Sequence, residues 1–164
     1  MYKKILIPLD GSAFAEQVIA CVEPFAEKLG SALVLLQVTT PLDVLMTLAN
    51  PGVPAPAVAM FDPQPLLDAE QTAAEEYLSR VVERLRKQRY AVEYEHPAGH
   101  AAAVIIERAQ AVGVDLIAMT THGRGGLGRL VFGSVADAVL RHAPCPILLV
   151  RVRDEQALAA RSAA

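Results

Sequence analysis

The sequence predicts an α/β fold: a single open five-stranded parallel sheet, doubly wound, with strand order 3-2-1-4-5. Three observations predict it. Short, almost wholly apolar runs alternate with longer amphipathic ones, as strands buried on both faces must alternate with the helices that cover them. The glycine-rich run Thr121 to Ser134, T-H-G-R-G-G-L-G-R-L-V-F-G-S, follows one such strand and opens a helix, the place where α/β sheets bind anions. The composition, 53% hydrophobic and 20% charged over 164 residues, suits one well-cored domain.

The first strand is Lys4 to Leu9, ending at Asp10-Gly11-Ser12. A helix follows with Phe14, Val18, Val22, Phe25 and Leu29 on one face; Pro24 is expected to kink it and Gly30 to end it. Ala32 to Val38 reads as a second buried strand. The next helix carries Leu67, Ala74, Tyr77, Leu78, Val81 and Leu85, and the third strand is Ala91 to His96. A third helix uses Ala101, Val104, Ile105 and Ala109 before the fourth strand, Asp115 to Met119. The fourth helix runs from about Ser134 to Arg141 or His142, and the last strand is Pro146 to Val152. No internal repeat is visible.

Two stretches depart from this economy, so the chain divides into one domain over 1–152 and a tail over 153–164. Residues 41–65 hold six of the eleven prolines among Val, Leu, Met and Ala, too long a run for an ordinary connection. They form either a lid or a disordered insert, and their apolar character favours a packed flap or contact surface. The tail has a helix-forming composition with little to bury and is expected to fray.

Several function classes are excluded. A formal net charge of -3 lacks the basic excess of a nucleic-acid binder. The longest apolar runs, Ala32 to Leu36 and Ile147 to Val150, are far short of the roughly 20 residues that span a bilayer. Pro8, Asp10 and Gly11 interrupt the opening run too early for a signal sequence, so the protein is expected to be cytoplasmic. Cys21 and Cys145 make neither a metal cluster nor a disulfide framework, and both read as packing residues.

The loop carries the chemistry. Four of the ten glycines lie between Gly123 and Gly128, and Gly133 stands beside Ser134 where the helix begins. Glycine lets backbone amides approach an anion, and a helix start adds unpaired N–H groups and the positive end of the macrodipole. In the strand order 3-2-1-4-5, the loop after strand one faces the loop after strand four. The crevice then has Asp10 on one wall and the anion cradle on the other, a pairing that suits a nucleotide.

These residues carry a resemblance. The chain resembles the universal stress proteins, whose nucleotide-binding members end the fourth strand in G-x-x-G, followed by nine residues and G-S or G-T. Here Thr120-Thr121-His122-Gly123 is followed by nine residues, Arg124 to Phe132, and then Gly133-Ser134. The opening I-L-I-P-L-D-G-S and the closing H-A-P-C-P-I-L-L-V match as well. One position departs, for Thr120 stands where the pattern has its first glycine. The resemblance implies a Rossmann-like fold, a stress-response role, and ATP as ligand, with Mg2+. It puts Pro8, Leu9, Asp10 and Val38 around base and ribose, with Met119, Thr120, His122, Gly123 and Arg124 beneath. Gly133, Ser134 and Val135 would hold the phosphates. It also implies a homodimer through the last strand.

Some residues have a second reading. Asp10 is equally suited to cap the first helix, Ser134 to spend its hydroxyl on its own helix, and Val38 and Met119 to be core. Gly123, Gly125 and Gly128 also fit G-x-G-x-x-G, but the acidic partner about 20 residues on is missing. No Gly-Lys-Ser or Gly-Lys-Thr occurs, which excludes a Walker A loop. His96 and His100 are separated by Pro97 and Gly99 and cannot share a helix face. No Ser, His and Asp arrangement supports a nucleophilic hydrolase. A slow Mg-dependent ATP hydrolase and a ligand-free interaction protein remain as alternatives to a nucleotide-binding regulatory or protective module.

Overall fold

The computed structural model describes residues 2–41, 44, 62–121 and 133–151. Five parallel strands form one sheet: β1 (Lys4–Leu9), β2 (Ala32–Gln37), β3 (Val92–Glu95), β4 (Leu116–Thr120) and β5 (Ile147–Val150), in the order β3-β2-β1-β4-β5. The helices between them are α1 (Ala13–Leu29), α2 (Gln64–Lys87), α3 (Ala101–Val112) and α4 (Ser134–His142). This is the doubly wound architecture the alternation predicts.

The period-two direction of strand side chains divides the core into two layers. Ile5, Ile7, Leu33, Leu35 and Ala118 pack with Val18 and Val22 of α1 and Leu78, Val82 and Leu85 of α2. Leu6, Val34, Leu36, Ile117 and Met119 face the other way, onto Ile105 and Ala109 of α3 and Ala136 and Val139 of α4. Both faces of β1, β2 and β4 are thus buried, which is why these strands read as continuous apolar runs.

Strand β1 is the switch point. It pairs with β2 along its whole length, from Lys4 with Ala32 to Leu9 with Gln37. Its ladder with β4 holds only Ile5 with Leu116 and Leu6 with Ile117. Pro8 lies past that ladder, where its missing N–H costs least, and the parting of β1 from β4 opens a crevice at their carboxyl ends.

The structure corrects several expectations. Helix α1 buries Ala15, Val18, Ile19, Val22 and Ala26, while Phe14 and Leu29 are 43% and 42% exposed. The predicted stripe was rotated because alanine, small enough to lie close to the sheet, takes core positions assigned to larger residues. The same rotation leaves Cys21 exposed, not packed. Helix α1 continues through Pro24, which is exposed, so water can take the Ala20 carbonyl that the proline leaves without its helical donor. Gly30 ends the helix as expected, in the left-handed conformation at φ 65°. Pro63 and Pro65 belong to the start of α2, where proline is pre-organised, rather than to the proline-rich insert. The remainder of that insert, apart from Pro41, Val44 and Asp62, and the tail 153–164 lie outside the described residues. Strands β2, β3 and β5 are shorter than predicted, losing Val38, then Ala91 and His96, then Pro146 and Arg151; Val152 lies outside the described residues. Strand β4 starts one residue late and includes Thr120.

Candidate functional site

A cleft of about 520 Å³ lies at the switch point, in the size range of small-molecule sites. Its walls come mainly from four places, with Ala15 of α1, Glu70 of α2, and Ala101 and Ile105 of α3 completing them. Pro8, Leu9 and Asp10 end β1; Leu36, Gln37, Val38 and Thr40 end β2; Met119, Thr120 and Thr121 end β4; Gly133, Ser134 and Val135 begin α4. Every predicted site residue within the described residues therefore lines one cleft: Pro8, Leu9, Asp10, Val38, Met119, Thr120, Gly133, Ser134 and Val135. His122, Gly123 and Arg124 lie outside the described residues.

The two helix starts at this end of the sheet are built differently. At α1, the Ser12 hydroxyl accepts from the Ala15 amide at 3.1 Å, a conventional N-cap. Asp10 supports it: its Oδ1 accepts from the Ser12 amide at 2.9 Å and from the Ser12 hydroxyl at 2.6 Å. Asp10 is thus not the cap itself. It holds the capping serine in place while lining the cleft.

At α4, Gly133 is the N-cap and brings no side chain to the helix start. The Gly133 amide donates to the Thr121 carbonyl at 3.0 Å, tying the helix start to the end of β4, and its carbonyl accepts from the Asp137 amide at 2.9 Å. The amides of Ser134, Val135 and Ala136, in the first helical turn, have no intrahelical acceptor. All three residues line the cleft. The Ser134 hydroxyl makes no capping bond to its own helix.

Thr120 and Thr121 are each 8% exposed. The Thr121 amide donates to the Val150 carbonyl at 3.1 Å, which fixes the β4 terminus against β5 just before the glycine-rich run. Sequence reasoning missed Thr121, whose backbone bonds to Val150 and Gly133 join segments distant in sequence. It also missed Gln37, Thr40 and Glu70. Glu70, from the second turn of α2, reaches the end of β2, where its Oε1 accepts from the Thr40 amide at 2.9 Å and the Thr40 hydroxyl at 2.8 Å. The separation of 30 positions between these partners leaves no local signal of the contact.

Comparison with known proteins agrees with this architecture. The sequence matches the Universal stress protein family over residues 1–151. Universal stress protein MJ0531 of Methanocaldococcus jannaschii is 31% identical over 151 residues, covering 92% of this chain and 83% of that protein. The solved structure of MJ0577, from the same organism, superposes with a TM-score of 0.78 at 25% identity, covering 94% of this chain and 99% of the other. A universal stress protein family protein from Arabidopsis thaliana, solved with AMP bound, shares the fold at a TM-score of 0.62 and 16% identity, over 94% of each chain. The chain belongs to the universal stress protein family.

Proposed function

We propose that this protein binds ATP in the switch-point cleft and acts as a nucleotide-responsive regulatory or protective module of the stress response. The observation that carries this reading is the α4 N-terminus, which offers backbone amides and a glycine cap to a cleft built by the matching motif residues. Phosphates resting on Gly133, Ser134 and Val135 would meet amide donors and the positive end of the helix. From there the nucleotide would cross β1, its ribose near Asp10 and its base against Pro8, Leu9 and Val38. Met119 and Thr120 form the floor beneath. An AMP-bound protein of the same fold supports a nucleotide as the ligand class. Magnesium accompanying the triphosphate would be held mainly by phosphate oxygens and water.

The same reading takes the protein as cytoplasmic and as a homodimer paired through β5, an apolar strand at the sheet edge. Among the described residues no helix is long and apolar enough to cross a membrane. Purified protein mixed with radiolabelled ATP tests the central point. Stoichiometric retention supports a binding module, steady release of phosphate makes it a slow hydrolase, and no retention removes nucleotide from its function.

A further inference from the structure

Among the described residues, two acceptor oxygens on cleft-lining side chains have no donor. Glu70 Oε2 and Gln37 Oε1 are both buried and both make no hydrogen bond. Buried polar atoms are ordinarily paired, so two such oxygens on side chains of one cleft can take a donor that the described residues do not give them, such as one on a bound ligand. Glu70 is not loose: its other oxygen is clamped by the Thr40 amide and hydroxyl. Gln37 closes β2, beside its register partner Leu9 at the end of β1.

Both residues stand on the β2 side of the cleft, whereas the α4 N-terminus stands on the β4 side, with β1 between. A nucleotide whose phosphates rest on α4 therefore points its base toward Gln37 and Glu70. A carboxylate and a carboxamide oxygen together suit a group with two hydrogens to give, such as an exocyclic amine on a base. A ring carbonyl in the same place would set acceptor against acceptor.

We infer that Glu70 and Gln37 form an acceptor pair that selects an amino-substituted base over one bearing a carbonyl at that position. The inference rests on the ATP-binding reading above. Inosine triphosphate, which replaces the 6-amino group of ATP by a carbonyl, is the probe. Calorimetric titration of the unmodified protein is expected to show inosine triphosphate binding at least roughly tenfold more weakly than ATP. Glu70→Gln keeps an acceptor for Thr40 but can turn an amide N–H toward the base. It is expected to weaken ATP, strengthen inosine triphosphate, and bring their affinity ratio toward one, with an unchanged circular dichroism spectrum.

Equal affinities in the unmodified protein, or an unchanged ratio in Glu70→Gln, would overturn the acceptor pair while leaving ATP binding intact. Discrimination against 2′-deoxyATP that disappears in Glu70→Gln, with none against inosine triphosphate, would move Glu70 to the ribose and overturn it too. Failure of the unmodified protein to bind any of the three nucleotides would instead defeat the reading on which the inference stands.

Discussion

Gly133→Val separates the anion-binding role of the α4 start from its role in folding. Gly133 has φ -58° and ψ 152°, a conformation open to any L residue. A Cβ placed there would lie 3.5 Å from the Thr121 carbonyl oxygen, an ordinary van der Waals contact. The described backbone therefore accepts a Cβ here. Valine is nonetheless a poorer N-cap than glycine, by about 1 kcal/mol, which lowers the melting temperature of a domain this size by about 2–4 °C. The ligand meets a different constraint. A phosphate oxygen must come within about 2.9 Å of an amide nitrogen, and the branched side chain at the cap crowds that approach. Loss of one hydrogen bond to a charged group costs about 1.5–3 kcal/mol, so ATP should bind roughly ten- to a hundredfold more weakly. Gly133→Ala, with one carbon in place of three, should fall between. Isothermal titration with Mg-ATP, run well below both melting temperatures, measures the affinities, and circular dichroism checks the fold. If the unmodified protein binds ATP and Gly133→Val binds it equally well, the α4 start does not hold the phosphates.

Three other outcomes are expected. Pro146 and Val150 offer their carbonyls to β4, so by strand alternation Leu148 faces β4 as well while Ile147 and Leu149 present theirs to the free edge. Leu149→Pro should consequently yield a folded monomer by light scattering, whereas Val150→Pro should lower the melting temperature; a concentration-independent monomer for the unmodified chain would remove the β5 dimer altogether. Cys21 is exposed, while Cys145 is half-buried and its thiol is pushed above the ordinary range, mainly by burial and secondarily by the Asp115 charge. A thiol reagent at neutral pH should thus label one cysteine fast and one slowly, with Cys21→Ser abolishing the fast phase; two slow thiols would contradict the exposed face of α1. Asp115 joins the starts of β1 and β4, accepting from the Lys3 amide at 2.7 Å and the Lys4 amide at 3.0 Å, and these bonds, led by that from Lys4, hold its carboxyl below the ordinary range. Its contribution to stability is present above the ordinary carboxylate pKa of about 3.9 and disappears as pH falls through the lowered value. The melting-temperature gap between the unmodified protein and Asp115→Ala should therefore narrow between neutral pH and about pH 2, and a constant gap would show that the carboxylate bonds add nothing.

Local patterns determined much of this protein before any coordinates. The apolar runs at Lys4 to Leu9, Ala32 to Val38 and Asp115 to Met119 mark strands because a strand buried on both faces must be apolar at every step. Gly30 and Gly133 mark helix boundaries because their roles depend on backbone freedom or a missing side chain within one turn. Given strand order 3-2-1-4-5, the loops after β1 and β4 had to meet, which set Asp10 opposite Gly133 and Ser134 in advance, and the family resemblance supplied the other motif residues that line the cleft.

Tertiary structure decided what depends on contacts between distant segments. In α1, a helix apolar on most sides, periodicity alone placed Phe14 and Leu29 on the core face. Packing against the sheet instead chose Ala15, Ile19 and Ala26 and left Cys21 outside. Asp10 and Ser12 are both good caps by residue type, and the turn geometry gave the helix to Ser12 with Asp10 behind it. Glu70 shows the limit most clearly. On its own helix it is one more acidic residue, and only the packing of α2 over the end of β2 seats it against Thr40 in the wall of the cleft. A side chain's neighbours within a turn are encoded by spacing, whereas its neighbours across the fold are set by how whole elements dock, and no local pattern carries that information.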